Sequence, residues 1–566
     1  MQGAVARAAH YKLGWTRMSE PRLPAVRIRT SPIRGIECAA VVAASAILVV
    51  FRLHAFDLPL ETDECNYAYI GARLLAGDRL YVDVWDHQPF GVFALFAAVI
   101  AAFGDAPHVF RLMAMGFSLV SLLLVYAILR RLAGRGAAIL GALLFALVSS
   151  DPGTGGEGCN REIYMNTFIL AGWYLALRST SHPRLRLFGS GCALAIASSL
   201  KTVVAVHWVF LAVWIAVEES GRSIGSRRAP GIVRRLAWFA LGPVILWGAA
   251  FAYFAATGRS HEFVDAVFEF NLGYSDSSEP FLMRFARFFA PIKHRFIFDS
   301  ALPLWIGAIA ASVWLTFESA VRRNLRCLAA ASLLFASYVA TCLLGRFWPH
   351  YYYLLLPALV MAVSMLVVRC AAWVQHYLAR GSPFGSLARI VVYVLFPVSV
   401  AATETRDFLL QPPFGITVKR YNSRDFWGRA QGENVAAVTD SEDSIFVFGN
   451  DAEIYYYSHR RCASRYTMIT GLGAHMKGAE ARRRIMLSEL ERTRPRLIVV
   501  LFDEPAWPEW RLFLETYYGE PAGWDFHDSK RNAIMFVVAR KDRPIEPIDW
   551  DWDRSAVGGW QLGERR

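Results

Sequence analysis

Long apolar runs dominate the pattern of hydrophobic and polar positions in roughly the first 400 residues of the chain. Apolar segments of nearly membrane-spanning length begin near Ile36, Val109, Gly136, Ile163, Leu187, Thr202, Leu236, Ala301, Cys327, Tyr351 and Ile390. A straight helix needs about 20 apolar residues to cross a bilayer, and several runs are somewhat shorter than that. The pattern predicts a polytopic α-helical membrane protein with about 11–13 transmembrane helices.

The apolar run from Pro89 to Gly104 is ambiguous, because it is short and begins at a proline. Charge helps to place it. If the N-terminal tail is cytoplasmic and this run does not cross, arginine clusters such as Arg130-Arg131 and Arg322-Arg323 all fall on the cytoplasmic side, as the positive-inside rule requires. We therefore predict a half-buried or interfacial helix here, with a further transmembrane span as the alternative.

The chain divides into three predicted parts. Residues 1–35 form a basic cytoplasmic tail, residues 36–403 form the transmembrane domain with a first outer loop at 54–89, and residues 404–566 form a soluble domain outside the cytoplasm. In the last part, strands are predicted at Ser444–Gly449, Leu497–Phe502 and Ala533–Val538, and helices at Glu480–Arg492 and Glu509–Tyr518. This alternation predicts a small α/β domain.

Composition and charge narrow the class of protein. Hydrophobic residues make up 55% of the chain and charged residues 19%, which excludes an ordinary soluble enzyme. The net charge of +13 is concentrated in short loops and the tail, where it sets topology, so the expected partner is the lipid bilayer and not a nucleic acid. We find no metal-ligand spacing and no glycine-rich nucleotide loop, and expect neither a metal nor another cofactor.

The most informative segment is the acidic turn Glu61-Thr62-Asp63-Glu64, which follows the first apolar run. Acids at the membrane–water boundary are partly desolvated, which raises their basicity and allows one of them to take a proton. The alternative is that Asp63 and Glu64 only cap the helix that follows, since acids favour helix N-termini. Cys65 and Cys159 lie in loops on the same predicted side, so a disulfide between them stays an open alternative.

This segment resembles a known family. Asp63-Glu64, Tyr67-Ala68-x-Ile70, Arg73, Gly77-Asp78 and Tyr81-x-Asp83-x-Trp85-Asp86-x-x-Pro89 are similar to the first outer loop of GT-C glycosyltransferases of the protein O-mannosyltransferase and lipid A aminoarabinose transferase type. Further similar segments are Asn160–Tyr164, Ser199–Thr202 and Gly345–Tyr352. One departure is Gln88-Pro89-Phe90, where many relatives carry Lys-Pro-Pro.

The resemblance implies a site for each part of the reaction. Its catalytic carboxylates would be Asp63 as the base, Glu64 holding the loop and Glu162 orienting the base or the acceptor. The phosphate of the donor would be bound by Lys201, Arg346, His350, Tyr351 and His87. The acceptor would be bound by Tyr67, Trp85, Asp86 and Tyr274.

The function implied by the resemblance is transfer of a single sugar from a polyprenyl-phosphate carrier to an envelope glycan or lipid acceptor. The implied reaction is an inverting single displacement on the periplasmic face of a bacterial inner membrane. Two rival functions stay open: a transporter or flippase for the carrier lipid or a glycan, and a non-catalytic glycan-binding assembly partner. At single residues, Lys201 can instead reach lipid headgroups, and Trp348 with Tyr351 can instead form an interfacial aromatic belt.

Overall fold

The computed structural model describes residues 35–177, 182–222, 228–274, 280–289, 296–299, 301–377, 383–413, 415–416, 424–473, 476–501, 507–519, 526–527 and 533–545. The predicted cytoplasmic tail, apart from Gly35, lies outside the described residues.

Helices make up nearly all of the described chain before residue 405. They are α1 Gly35–His54, α2 Thr62–Leu75, α3 Phe90–Phe103, α4 Pro107–Leu132, α5 Arg135–Val148, α6 Arg161–Leu177, α7 Pro183–Leu200, α8 Ala205–Arg222, α9 Arg228–Ala256, α10 Ser260–Val264, α11 Phe270–Tyr274, α12 Phe281–Arg287, α13 Phe296–Asp299, α14 Leu302–Ala320, α15 Leu325–Cys342, α16 Pro349–Tyr353, α17 Leu356–Tyr377 and α18 Pro383–Glu404. A π-helical turn, Thr405–Leu409, continues α18.

Each of the eleven predicted apolar runs coincides with one of these helices, namely α1, α4 to α9, α14, α15, α17 and α18. Within the described residues, eight helical segments are long and apolar enough to cross a membrane. Helix α5, at 14 residues, is shorter than a straight span requires. The chain is a multi-pass helical membrane protein, as its hydrophobic pattern predicts.

The two ends of the helix bundle carry different features: an arginine cluster at one end and the 54–89 loop at the other. At one end Glu37, at the start of α1, lies 2.8 Å from Nε of Arg135 and 3.2 Å from Nε of Arg130. The start of α1, the end of α4 and the start of α5 therefore meet there, so this arginine cluster lies on the side where the tail joins. We call the opposite end, which carries the 54–89 loop, the loop face.

Helix α3 begins and ends at the loop face. At its start, Gly91 packs so closely against Ser199, at the end of α7, that a Cβ on Gly91 would clash with Oγ of Ser199. Just past its end, the carbonyl of Asp105 accepts a hydrogen bond from the hydroxyl of Tyr456 in the C-terminal region. A helix of 14 residues is also only about 21 Å long, against a hydrocarbon core of about 30 Å. This geometry agrees with the prediction that the segment does not cross.

The C-terminal region contains a five-stranded sheet in the order β2-β1-β3-β5-β4. Its strands are β1 Ser444–Phe448, β2 Arg461–Cys462, β3 Leu497–Val500, β4 Phe526–His527 and β5 Ala533–Ala539. Its helices are α19 Arg424–Ala437, α20 Glu453–Ser458, α21 Ala479–Thr493 and α22 Pro508–Tyr517. The α/β prediction is confirmed, with three strands and two helices close to their predicted bounds.

Strand β1 pairs in parallel with β2 and β3, whereas β5 pairs antiparallel with β3 and β4. All four residues of β3 are buried, which explains why it is a continuous apolar run and not an alternating one. Trp510 of α22 stacks on Phe448 of β1 at 4.4 Å between ring centroids and belongs to the core of this region.

The sheet region packs directly against the first outer loop. The hydroxyl of Thr62 donates a 2.6 Å hydrogen bond to the Glu453 carboxylate, and the backbone N–H of Cys462 donates a 2.7 Å bond to the hydroxyl of Tyr69. Both contacts fall on α2. The C-terminal region therefore fixes the position of the helix that carries Asp63.

Candidate active site

Asp63 lies in the first turn of α2. This helix begins in a capping box, in which the Glu64 carboxylate accepts a 3.2 Å hydrogen bond from the backbone N–H of Glu61 and the Glu61 side chain accepts one in return. Asp63 takes no part in the cap. Its Oδ2 accepts a 3.4 Å hydrogen bond from the hydroxyl of Tyr67 and lies 3.7 Å from Nε2 of His350.

The surroundings of Asp63 favour a carboxyl group that can accept a proton. Burial raises the pKa of Asp63 from its usual value of 3.8, while the positive charges of Arg161 and Lys201 oppose that rise and the charge of Glu162 adds to it. A third of the side chain, 33%, stays exposed, so the group is accessible from outside the bundle. Asp63 thus combines raised basicity with access.

Beside Asp63 lies an ion-pair cluster built by the ends of α6 and α7. Nζ of Lys201 donates a 2.8 Å hydrogen bond to Oε1 of Glu162 and lies 3.3 Å from the centroid of the Tyr351 ring. Nε of Arg161 lies 3.5 Å from the same Glu162 oxygen. These four side chains are buried, so their charges act in a medium that screens them weakly. The cluster is therefore a strong local field next to the candidate base.

A pocket opens on the other side of Lys201. Its lining is formed by His87, Gln88, Lys201, Thr202, Val203, Asn271, Tyr274, Leu344 and Tyr351. The guanidinium of Arg346 lies 4.4 Å over the ring of Tyr274, at the edge of this pocket. The structure thus brings together all five residues predicted for the donor phosphate: Lys201, Arg346 and His87 around the pocket, Tyr351 in its wall, and His350 beside Asp63.

His87 belongs to this pocket as a neutral group. Burial, together with the positive charges of Arg161, Lys201 and Arg346, lowers the pKa of His87 to about 3. The imidazole ring is hydrogen bonded to Nε2 of Gln88 at 2.7 Å. In this environment the His87 ring is neutral, so it adds no positive charge beside Gln88.

Three residues predicted for the acceptor are enclosed by protein. The Tyr67 side chain is 1% exposed, and its hydroxyl donates a hydrogen bond to Asp63. Trp85 packs against Phe270 and Tyr466 with ring centroids 5.2 and 5.4 Å apart, and Arg482 covers it at 5.4 Å. These placements leave no free face for a sugar, because both rings are already covered.

Asp86 is the third of these residues. Its Oδ2 accepts a 2.6 Å hydrogen bond from the Asn66 amide, and its Oδ1 accepts a 2.7 Å bond from the backbone N–H of Gln88. Burial raises the pKa of Asp86 to about 7. Asp86 therefore shapes the turn that carries His87 and Gln88, and only Tyr274 of the predicted acceptor residues lines the pocket.

Glu64 points away from the cluster. Besides the cap, its carboxylate accepts a 2.5 Å hydrogen bond from the backbone N–H of Cys159 and lies 3.5 Å from Nη2 of Arg111. It joins the first outer loop to the loop before α6, which agrees with a structural role and argues against direct participation in catalysis. Cys65 and Cys159 are both free thiols, so the alternative of a disulfide between them is wrong.

Two residues that contact the candidate site, Arg161 and Thr467, were not predicted from the sequence. Arg161 occupies the centre of the cluster, although its neighbour Glu162 was the only residue of that pair singled out. Thr467 in the C-terminal region donates a 2.7 Å hydrogen bond to Oδ1 of Asn66, whose amide holds Asp86. Neither residue carries a local signal, because each acts on partners far away in the sequence. In the described part of the chain, no three His, Cys, Asp or Glu side chains are grouped so that they could hold a metal ion.

Comparison with known proteins finds a family match in one part of the chain. Residues 87–247 match the family model of dolichyl-phosphate-mannose-protein mannosyltransferases, a segment that contains His87, Arg161, Glu162 and Lys201 but not Asp63. No curated protein matches the chain.

Solved structures of low identity share the fold. ArnT from Cupriavidus metallidurans in the apo state is 17% identical with a TM-score of 0.57, over 89% of this chain and 98% of ArnT. The same protein bound to undecaprenyl phosphate is 18% identical with a TM-score of 0.56, over 88% and 98%. The archaeal oligosaccharyltransferase AglB from Archaeoglobus fulgidus, in complex with an inhibitory peptide and a dolichol-phosphate, is 12% identical with a TM-score of 0.54, over 82% and 69%.

The chain therefore shares its fold with ArnT and AglB. The family match and the shared fold together support the class that the outer-loop motif predicts, a membrane glycosyltransferase of the GT-C type.

Proposed function

We propose that this protein transfers a single sugar from a polyprenyl-phosphate carrier to an envelope glycan or glycolipid, on the periplasmic side of a bacterial inner membrane. The fold and the family match support lipid-linked sugar transfer in general. The observation that carries the proposal is Asp63, a carboxyl group of raised pKa and partial exposure beside a buried cationic cluster.

The proposed chemistry is one displacement. Asp63 takes the proton of an acceptor hydroxyl, and the hydroxyl oxygen forms a bond to the anomeric carbon of the sugar. The bond from that carbon to the phosphate oxygen breaks, and its electron pair leaves with the polyprenyl phosphate. One displacement inverts the configuration at the anomeric carbon. A positioned general base of this kind contributes about 10²–10⁴-fold to rate.

The remaining groups have proposed roles that follow from their positions. Lys201 and Arg346 flank the pocket and would neutralise the charge that develops on the leaving phosphate. His350, 3.7 Å from Asp63, and Tyr67 would orient the base. Glu162 holds Lys201 in place through their 2.8 Å contact. Tyr274 lines the pocket, but Arg346 lies over its ring and Phe270 stacks on it at 5.9 Å, so its proposed contact with a sugar is through the ring edge.

The outward position of the site is supported by charge. The arginines that pair with Glu37 lie at the end of the bundle opposite to Asp63. Cationic residues mark the cytoplasmic side of membrane proteins, so the loop face would be periplasmic.

The test begins with the cell envelope. Mass spectrometry of envelope glycolipids and glycans from cells with and without the protein should identify a species that loses one sugar. Complementation then compares Asp63→Asn with Asp57→Asn, an exposed aspartate six residues earlier on the same loop. We expect Asp57→Asn to restore the modified species, and Asp63→Asn to be expressed at the same level and to restore none of it.

In vitro, purified protein with the identified acceptor should release polyprenyl phosphate in proportion to sugar transferred. A loss of about 100-fold or more is expected for Asp63→Asn. Undiminished turnover in that variant would remove Asp63 as the base. Net movement of an unmodified lipid-linked sugar across vesicles, without transfer, would favour the transporter alternative.

A further inference from the structure

Arg161 is the most deeply enclosed cation beside the proposed base. Its side chain is 1% exposed, and it opens α6 directly before Glu162. Its guanidinium lies 5.4 Å over the ring of Tyr67, the residue that donates to Asp63. Among the described residues, its Nε and Nη1 have no hydrogen-bond partner, although both atoms are shielded from solvent.

A buried guanidinium without acceptors is costly, because the hydrogen bonds that water provided are not replaced. The nearest acid does not compensate for it fully. Oε1 of Glu162 is shared between Lys201 at 2.8 Å and Arg161 at 3.5 Å, so one carboxylate oxygen serves two cations. Asp63 is the second acid on which the charge of Arg161 acts, but no hydrogen bond joins the two side chains, so Nε and Nη1 of Arg161 keep capacity for a further acceptor.

Two residues of the neighbouring pocket, Gln88 and His87, add no positive charge to that of Lys201 and Arg346. Gln88 carries none, and His87 is hydrogen bonded to it as a neutral ring. Lys201 lines the pocket and also belongs to the Arg161 cluster, so the two sites are continuous through this side chain. An anion that enters the pocket and reaches Lys201 also reaches the field of Arg161.

We infer that Arg161 binds the phosphate of the lipid-linked donor and of the polyprenyl phosphate product, through the unpaired N–H groups of its guanidinium. This inference rests on the proposed function. A guanidinium suits the task because its planar fork matches two phosphate oxygens, whereas an ammonium acts as a point charge. Arg161 would then be a donor-binding residue together with Lys201 and Arg346.

The test measures binding of undecaprenyl phosphate to the purified full-length protein in detergent, by intrinsic tryptophan fluorescence. Wild type is compared with Arg161→Gln and Arg161→Lys. Hydrogen bonds to charged groups are worth about 1.5–3 kcal/mol, so Kd for Arg161→Gln should rise about 10- to 100-fold. Arg161→Lys keeps the positive charge but loses the planar guanidinium that can donate two parallel hydrogen bonds. Its Kd for undecaprenyl phosphate should therefore rise by a smaller factor.

Arg259→Gln is the matched control. Arg259 is also a buried arginine near the first outer loop, but its Nη1 donates to the carbonyl of Leu80 at 3.3 Å and its guanidinium lies over Tyr253 and Phe254. Its replacement should leave the Kd for undecaprenyl phosphate unchanged. Thermal denaturation of each variant in detergent reports whether it is folded.

A wild-type Kd in folded Arg161→Gln overturns the inference, even when the wild type transfers sugar and Asp63→Asn does not. Should Arg161→Gln fail to fold, Arg161→Lys decides the question, and an unchanged Kd there overturns the inference. If the wild type neither transfers sugar nor binds undecaprenyl phosphate, the proposed function itself fails, which is a separate result.

Discussion

Replacing Glu64 separates a structural acid from a catalytic one. The Glu64 carboxylate is 1% exposed, accepts hydrogen bonds from the backbone N–H groups of Glu61 and Cys159, and lies 3.5 Å from Nη2 of Arg111. Glu64→Ala removes all three contacts and leaves Arg111 buried without its carboxylate. Breaking a buried ion pair costs about 3–5 kcal/mol, and we expect a loss of stability in that range.

Glu64→Gln is the more informative change, because it keeps the side-chain length and one carbonyl oxygen as acceptor. It loses the charge opposite Arg111, so we expect a smaller loss of about 1–3 kcal/mol. The assay combines thermal denaturation in detergent with sugar transfer measured per folded molecule. Both variants should melt at lower temperature than wild type, whereas transfer by folded Glu64→Gln should stay within a few-fold of wild type.

Glu433→Gln provides the control. Glu433 is half exposed and pairs with Arg429 on the surface of α19, so its loss should change stability by about 0–1 kcal/mol. If Glu64→Gln melts at the wild-type temperature and transfers no sugar, Glu64 takes part in the chemistry and our reasoning is refuted.

Two further predictions concern the base and the turn beside the pocket. Burial raises the pKa of Asp63 above 3.8, so protonation should inactivate this base, and kcat/KM should fall on acidification, at a higher pH than for an ordinary aspartate. A pH–rate profile whose acid limb lies at or below 3.8 contradicts this role. Thr467→Val removes the hydroxyl that orients Asn66, whose amide in turn holds Asp86. The KM for the donor should therefore rise about fivefold while the protein stays folded. An unchanged KM excludes an effect of Thr467 on the pocket through Asn66 and Asp86.

Much of the fold was predictable from the sequence, because burial in lipid and in a sheet core leaves long apolar runs. The runs near Ile36 and Val109 became α1 and α4, and Leu497–Val500 became a fully buried strand. The short strands β2 and β4 have two residues each, too few for any periodicity to show. That α3 does not cross the membrane is a prediction, and it rests on charges elsewhere in the chain because the apolar sequence of α3 does not distinguish the two placements.

The site was predictable to a lesser degree. Asp63 and Lys201 stand out in the sequence because each lies at the end of an apolar run. Placing a charged side chain there costs free energy, so such a residue is a candidate for function. The resemblance implied that Trp85 and Tyr67 bind the acceptor, but the sequence does not reveal whether a ring is covered by other side chains. Arg161 lies 94 positions from Tyr67, and Tyr466 lies 381 positions from Trp85, so neither partner leaves a spacing signal.

The hydrogen bonds between the C-terminal region and α2 have a consequence for the order in which the protein assembles. Thr62 and Glu453 are 391 residues apart, and the bond between them forms next to Asp63. During synthesis, the apolar helices of the bundle are complete long before Glu453 leaves the ribosome. A nascent or truncated chain without the C-terminal region can therefore occupy the bilayer while α2 still lacks the contacts that hold it in place.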